Sequence, residues 1–275
     1  MKGAVYMNVA MYVIRELEDS IDDCEKGCST ADCNDDAVHA LDEAVAFYTG
    51  ELTGDSIGEL LYAVAEKRCI NFNTCGKDGD SSAGKAKVNY EIFADFERMQ
   101  TALRGKECGA ARNIKESIAR QMVVPMIQGT LRYAYITGVQ PGGNQKAEAE
   151  GAAFAAAVLP MVHSCNEDDA QTIYDNMKTG QGNTADFDAV KQAFERNYDC
   201  LGITCKDVGG YWNSADNVYF EGANPCGSGD SSNAGMAVGI TVGALAVLAL
   251  FAFACRSRRR SATSADTKGD GSQIA

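Results

Sequence analysis

Apolar residues recur at intervals of three and four along most of residues 1–221, and strict apolar–polar alternation is scarce. The first pattern is typical of helices that bury one face, and the second is typical of strands. The periodicity predicts eight helices, at 4–21, 35–48, 56–69, 87–103, 111–137, 146–163, 167–178 and 184–200. Pro125 should kink or divide the fifth helix, because its ring removes a backbone donor and clashes with the preceding turn.

Residues with capping side chains mark some of the expected helix starts. Asn166 is expected to cap the seventh helix, and Asn183 or Thr184 the eighth, since such side chains accept hydrogen bonds from the first backbone amides. The fold class that we expect is all-α, a disulfide-stapled helical bundle.

An uncharged apolar segment covers residues 234–255, and four arginines follow it within the next five positions. About 20 apolar residues span the hydrocarbon layer of a bilayer, whereas the alternative is a buried helix of a soluble protein. Arginines favour the cytoplasmic side. The segment therefore predicts one C-terminal transmembrane helix and a single-pass type I protein at the plasma membrane. The expected parts are an extracellular domain at 1–221, a flexible stalk at 222–233, the anchor at 234–255 and a cytoplasmic tail at 256–275.

Glycines at every fourth position mark one face of this expected anchor. Gly235, Gly239 and Gly243 lie on the same side of a helix, and small residues with this spacing let two helices approach closely. They predict a homodimer through the anchor, although glycine is also common in membrane helices that do not pair.

Ten of the eleven cysteines precede the expected anchor. An even number on the oxidising side of a membrane indicates disulfides, and zinc is disfavoured because no CxxC pair is present. The local groups that indicate short disulfide loops are Cys24/Cys28/Cys33, Cys69/Cys75 and Cys200/Cys205, although ten cysteines allow many pairings. A secretory signal is missing from this picture. The apolar run at 3–14 contains Asn8 and no cleavage site follows it, so we expect further sequence upstream.

Charge and motifs narrow the function classes. The chain has a formal net charge of −13, and residues 256–275 hold five basic and two acidic residues, which leaves 36 acidic and 20 basic residues before them. This negative charge disfavours nucleic acid as a partner. It is compatible with cation binding, and it is equally compatible with a role in solubility alone. Only two histidines are present, and the motifs of common hydrolases and nucleotide-binding enzymes are absent. We therefore expect a protein that is not an enzyme.

Two helical segments place oxygen and nitrogen donors one turn apart. His39, Asp42 and Glu43 share one face of the second helix, where they would chelate a metal if that face pointed into a cleft; the alternative is a solvated face. Tyr62 and Glu66 share a face of the third helix, which is apolar nearly all round. A buried Glu66 needs a partner, either a hard cation or a salt bridge to Lys67 or Arg68.

Isolated polar residues interrupt two further apolar helices. Glu150 lies at the edge of an apolar run, where a glutamate is either an acid of the first helical turn or a ligand in a bundle core. Arg120, Arg132 and Tyr135 interrupt the fifth helix. Arginines in such positions bind carboxylates or oxyanions, and phenolate oxygens suit ferric iron.

Three segments resemble a known family. They are DEAVAFYTGEL at 42–52, GELLYAVAEKRCINFNTCG at 58–76 and KAEAEGAAFAAAVLPMVHSC at 146–165. They resemble the low-iron-inducible periplasmic proteins of algae, which include secreted iron-assimilating proteins of green algae and the membrane-anchored phytotransferrins of diatoms. The resemblance covers roughly residues 35–212, and the apolar segment near the C-terminus matches the phytotransferrin-like branch.

The resemblance implies capture of ferric iron at the cell surface, with carbonate as a synergistic anion and later internalisation into endosomes. The implied pool of iron ligands is Glu43, Glu150, Asp42, Tyr62, Glu66, Tyr135 and His39, with most weight on Glu43 and Glu150. The implied anion-binding residues are Arg68, Arg120 and Arg132. The alternative function is a surface receptor or adhesion module whose acidic helical domain binds no metal.

Overall fold

The computed structural model describes residues 5–29, 33, 36–50, 59–140, 144–180, 182 and 184–226. Helices make up 72% of these residues. The chain begins with a π-helical turn at Val5–Val9 and continues with α1 (Ala10–Lys26), α2 (Ala37–Thr49), α3 (Leu61–Phe72), α4 (Lys87–Arg104) and α5 (Cys108–Gly138). It then forms α6 (Gln145–Cys165), α7 (Glu167–Met177), α8 (Phe187–Leu201), α9 (Cys205–Val208), β1 (Trp212–Asn213) and β2 (Val218–Tyr219).

The predicted helical fold is confirmed for the described residues, and each of the eight predicted helices corresponds to one of α1–α8. Of the two alternatives for Pro125, division of the fifth helix is wrong, because α5 runs without interruption from Cys108 to Gly138, and the kink stays a prediction. Helix α9 and the antiparallel pair of β1 and β2 were not predicted, since each is too short to leave a periodic pattern.

Helix α5 is the centre of the fold. All of residues 122–131 are buried, so neighbouring helices enclose this part of α5 on every side. Its polar side chains in this stretch are satisfied. Gln128 donates to the Thr74 hydroxyl at 3.0 Å and to the Val208 carbonyl at 2.9 Å, which ties the α3–α4 loop and α9 to the central helix.

Helices α5 and α6 form an antiparallel hairpin with two glycines at their contact. A Cβ built on Gly129 of α5 would lie 2.3 Å from the ring of Phe154 in α6. A Cβ built on Gly151 of α6 would lie 2.8 Å from Cβ of Tyr133 in α5. Each aromatic residue therefore packs into the space that the missing side chain of the opposite helix leaves, and the two helices approach more closely than larger residues would permit.

Five disulfides join all ten cysteines that precede the predicted anchor. The pairs are Cys24–Cys108, Cys28–Cys33, Cys69–Cys75, Cys165–Cys200 and Cys205–Cys226. The local groups at Cys28/Cys33 and Cys69/Cys75 are thus confirmed as pairs, whereas the group Cys200/Cys205 is wrong. Gly202 has a left-handed backbone conformation that ends α8 between these two cysteines, and they bond to Cys165 and Cys226 respectively.

The folded domain extends beyond the expected domain boundary. Ala223 is buried, its carbonyl accepts from the Tyr211 amide at 3.0 Å, and Cys226 is bonded to Cys205. The stalk predicted to begin at residue 222 therefore begins too early, because its first residues are held by this disulfide. Among the described residues, no helix is long and apolar enough to cross a membrane. The predicted anchor with Gly235, Gly239 and Gly243 lies outside the described residues, and it stays a prediction.

A buried carboxylate joins α7 to α8. Asp169 is buried, and it accepts hydrogen bonds from the Arg196 guanidinium and from Nδ2 of Asn197 at 2.8 Å. The hydrogen bond from Arg196 lowers the pKa of Asp169. This carboxyl therefore stabilises the fold when it is ionised, and the contribution disappears on acidification.

The ion pair predicts a pH dependence of folding. A lowered folded-state pKa gives stability that is fully present above the unfolded value of about 3.9 and is lost as the pH falls through the folded value. We expect Asp169→Asn to reduce the free energy of unfolding by about 1–2 kcal/mol at pH 7 and by much less at pH 3. Urea unfolding at both pH values measures this. The exposed neighbour Asp168→Asn is the control, and an equal pH dependence in both variants would contradict the assignment.

The glycine contact predicts a second result. Gly129→Ala should lower the free energy of unfolding by about 1–3 kcal/mol, because the new methyl group overlaps the Phe154 ring in a packed core. Gly109→Ala in the same helix has nothing within 4 Å of the new Cβ, so its stability should stay equal or rise slightly with helix propensity. Denaturant unfolding of both variants distinguishes overlap from propensity, and equal effects would contradict close packing at Gly129.

Candidate functional site: an arginine-lined cavity between α3, α5 and α6

A small, partly open cavity of about 40 Å³ lies where the π-helical turn meets α3, α5 and α6, and the exposed residues Glu59 and Lys67 are part of its wall. Space of this size accommodates a few water molecules or one small ion. Its wall combines aromatic rings with charged groups. The lining residues are Tyr6, Glu59, Val64, Lys67, Arg68, Tyr133 and Phe154.

Helix α3 lies between the cavity and α4, and it presents different residues to each. Val64 and Arg68 are four positions apart and line the cavity. Tyr62 and Glu66, also four apart, lie on another face next to α4. The helical repeat therefore directs Arg68 toward the cavity and Glu66 away from it, although only two positions separate them.

Two arginines with unpartnered buried nitrogens lie together at this site. Nε and Nη1 of Arg68 and Nε of Arg132 are inaccessible to solvent, and they have no hydrogen-bond partner among the residues that the structure describes. Within the described part of the chain, neither arginine forms an ion pair with a carboxylate. Burial, and then the nearby charge of Arg132, lower the pKa of Arg68 to about 10. Arg68 thus stays charged at neutral pH at a cost that its present neighbours do not offset.

Oxygen donors lie beside these arginines. The Tyr133 hydroxyl donates to Oε2 of Glu150, and the guanidinium of Arg132 lies 5.0 Å from the centre of the Tyr133 ring. The charges of Arg68 and Glu150 both act on the Tyr6 phenol, while burial is the main reason that the pKa of Tyr6 rises to about 12. Tyr6, Tyr133 and Arg68 therefore line the cavity, while Glu150 and Arg132 contact or charge-couple to residues of its wall.

This set of groups has a definite chemistry. Paired guanidinium groups with free N–H donors match the planar or tetrahedral oxygens of a small oxyanion. Phenol and carboxylate oxygens are hard donors, and a bound trivalent cation stabilises their deprotonated forms. The residues present thus suit an anion, or a hard cation together with an anion.

Of the sequence-predicted site residues, Arg68 lines the cavity, and Arg132 and Glu150 lie next to its wall through Arg68 and Tyr133. The group on α2 lies elsewhere. His39, Asp42 and Glu43 are on the exposed face of that helix, with Nε2 of His39 3.7 Å from Oε1 of Glu43. The expectation that they point into an interior cleft is therefore wrong, and the solvated-face alternative holds.

Glu66 and Tyr62 belong to a hydrogen-bond network between α3 and α4. Asn89 donates to Oε1 of Glu66 at 2.6 Å and to the Tyr62 carbonyl at 3.2 Å, and the Ala86 amide also donates to Glu66 at 3.1 Å. The Tyr48 hydroxyl completes the network through Asn89. Glu66 thus has its partners without a cation, and they are neither Lys67 nor Arg68, which the sequence indicated.

Tyr135 and Arg120 lie outside the cavity wall. Tyr135 packs against Phe187, Tyr211 and Phe220 in an aromatic cluster, and burial raises its pKa. Arg120 is exposed and lies over Gly202 at the end of α8. Neither residue is part of the group around Arg68.

One further cluster has the spacing of metal ligands but not their chemistry. Ligand atoms of Asp23, Cys28 and Cys33 lie within 4.8 Å of one another. The two sulfur atoms are joined to each other as a disulfide, so neither is a thiolate that binds a cation.

Tyr6, Tyr133, Glu59 and Phe154 are site residues that the sequence did not assign. Two of them were recognisable from the α5–α6 hairpin. In each of the pairs Tyr133/Glu150 and Gly129/Phe154, the two residues are about equally far from the loop between α5 and α6. An antiparallel hairpin therefore places the members of each pair in contact. No local signal connects Tyr6 with residues of α3 and α6.

Comparison with known proteins identifies no relative. No protein-family model matches the chain, and no match was found among curated proteins or solved structures.

We expect that replacing Arg68 increases the stability of the folded protein. Arg68→Met keeps an unbranched side chain of similar length and removes a charge whose inaccessible Nε and Nη1 have no hydrogen-bond partner among the described residues. We expect the free energy of unfolding to rise by about 1–2 kcal/mol, measured by denaturant unfolding without added anions. Arg120→Met, at an exposed position of α5, should change it by less than about 0.5 kcal/mol. A loss of stability on Arg68→Met would show that the guanidinium is satisfied in the folded protein.

Proposed function

We propose that this protein binds ferric iron together with a small oxyanion in the cavity between α3, α5 and α6. The observation that carries the proposal is the pair of partly buried arginines, Arg68 and Arg132, with inaccessible nitrogens that have no hydrogen-bond partner among the described residues. The oxygen atoms of Tyr133 and Glu150 lie near them. The resemblance of the sequence to algal iron-assimilation proteins supports the same function. The role that follows is capture of iron at the cell surface, with bicarbonate as the source of the anion.

Electrostatics explains why the anion and the cation belong together. Two guanidinium groups next to the oxygen donors oppose the approach of a bare trivalent cation. An oxyanion between them neutralises this repulsion, satisfies the buried N–H donors and contributes further oxygen ligands to the metal. Phenolate and carboxylate oxygens from Tyr133 and Glu150 then complete a hard donor set suited to iron.

The exposed acids on α2 enter this proposal only as a control. Asp42 and Glu43 lie on a solvated surface, where carboxylates bind cations weakly and without defined geometry. They are not placed with Arg68 or Glu150, so the proposed site does not use them.

The experiment is a titration of the purified full chain with ferric nitrilotriacetate, in carbonate-free buffer and again with bicarbonate. We expect one iron per chain only with bicarbonate, accompanied by a visible absorption band from tyrosinate-to-iron charge transfer. Glu150→Gln and Arg68→Met should weaken binding by about tenfold or more, because each removes a group that contacts the iron or its anion.

Glu43→Gln is the matched control, since it removes the same charge from an exposed helix face, and its iron affinity should equal that of the wild type. Bicarbonate-independent binding, or equal losses for Glu43→Gln and Glu150→Gln, would contradict the proposed site. No iron binding by a folded, disulfide-bonded chain would favour the receptor or adhesion function instead.

A further inference from the structure

An apolar patch is exposed on the face that α1 and α2 form together with the turn before α1. Met7, Met11, Tyr12 and Phe47 are four of the eight large apolar side chains that are exposed among the described residues. Met11 is the most exposed of the eight, at 69%. Single exposed apolar residues are ordinary on a protein surface, whereas a cluster of them indicates an interaction surface.

The patch extends over two antiparallel helices. Tyr12, near the start of α1, stacks on Phe47, near the end of α2, with 5.5 Å between the ring centres. At the opposite ends of the two helices, Cys24 of α1 and Ala37 of α2 line one pocket. The ring stack therefore joins the two halves of the patch. Each ring is still more than a third exposed, so the outer surface of the stack remains in contact with water.

Charges of opposite sign lie next to the ring stack. Arg15 follows Tyr12 by three positions and lines the same groove, and Glu43 precedes Phe47 by four positions. Because the helices are antiparallel, both charges lie on the same side of the stack and about one turn from it. Arg15 is exposed and forms no ion pair within the described part of the chain, where Glu43 pairs only with His39, at 3.7 Å.

We propose that this patch is a dimer interface and that its partner is a second copy of the chain. A two-fold axis that runs parallel to the two helices, in the plane of the interface, places α1 of each copy on α2 of the other. The rings of Tyr12 and Phe47 then cover the same rings of the second copy. Arg15 of each copy meets Glu43 of the other. The patch is thus complementary to itself in apolar surface and in charge, as a two-fold interface requires.

Charge favours a second copy over other partners. The chain has a formal net charge of −13, so two copies repel each other except where opposite charges are matched. The contact of Arg15 with Glu43 occurs twice in the proposed dimer and supplies this match. A bilayer suits the surface less well, because the exposed Asp42 and Glu43 beside the patch repel anionic headgroups. The proposed dimer does not depend on the iron site.

The test measures the mass of the full chain by analytical ultracentrifugation over a range of concentrations, in a mild non-ionic detergent that keeps the predicted anchor in solution. The wild type should be a dimer that dissociates on dilution. Arg15→Glu and Glu43→Arg should each raise the dissociation constant of the dimer by about tenfold or more, because each turns two attractive contacts into two repulsive ones. The double variant exchanges the two charges and should regain most of the wild-type affinity.

Tyr12→Ser tests the apolar part of the interface and should raise the dissociation constant by about tenfold. Tyr174→Ser on α7 is the matched control, since Tyr174 is 49% exposed against 52% for Tyr12 and lies outside the patch, and it should change nothing. All substituted side chains are exposed, and circular dichroism verifies that each variant is folded.

Three results would overturn the proposal. A wild type that is monomeric at every concentration would assign the patch to a different partner. A dimer that none of these substitutions weakens would be held elsewhere, as by the predicted anchor glycines. Losses in both single charge variants without recovery in the double variant would exclude the pairing of Arg15 with Glu43. Iron binding is measured separately, so none of these results decides the proposed function.

Discussion

The close approach of α5 and α6 is the contact on which the rest of the site depends. Gly129 and Gly151 have no side chains, so Phe154 and Tyr133 each pack against the backbone of the opposite helix. This contact sets the distance between the two helices and fixes two aromatic walls of the cavity. The Tyr133 hydroxyl then reaches Glu150, and Arg132 lies beside the same ring.

The site contrasts with the other buried charges of the domain. Asp169 has Arg196 and Asn197 as partners, and Glu66 has Asn89 and the Ala86 amide. Such networks satisfy their members and stabilise the fold. Inaccessible nitrogens of Arg68 and Arg132 have no hydrogen-bond partner in the described part of the chain, which costs free energy in the ligand-free protein. Unsatisfied charged groups occur mainly where a bound ligand satisfies them. The missing partners of these arginines therefore distinguish a candidate binding site from structural ion pairs.

The sequence predicted local structure well and contacts less well. Asn166 caps α7 as expected, whereas α8 is capped by Asp186 and not by Asn183 or Thr184, because several neighbouring residues offer equally good caps. Cys69 pairs with its near neighbour Cys75, whereas Cys200 of α8 bonds to Cys165 of α6. The second pair was not predicted, because spacing along the chain does not reveal which cysteines meet. Glu43 and Glu150 had equal weight as ligands from the sequence, and burial separates them.

The sequence by itself determined the helical fold class, the approximate extent of α1–α8, the oxidised cysteines and the acidic charge, because each of these follows from composition or from a short-range repeat. Only the tertiary structure decided that Tyr6, Arg68, Tyr133 and Glu150 form one site. These residues lie on four different elements, and a helical repeat specifies which face of each helix is apolar without specifying which faces meet. That choice depends on the fit between distant surfaces, such as the glycines that admit Phe154 and Tyr133.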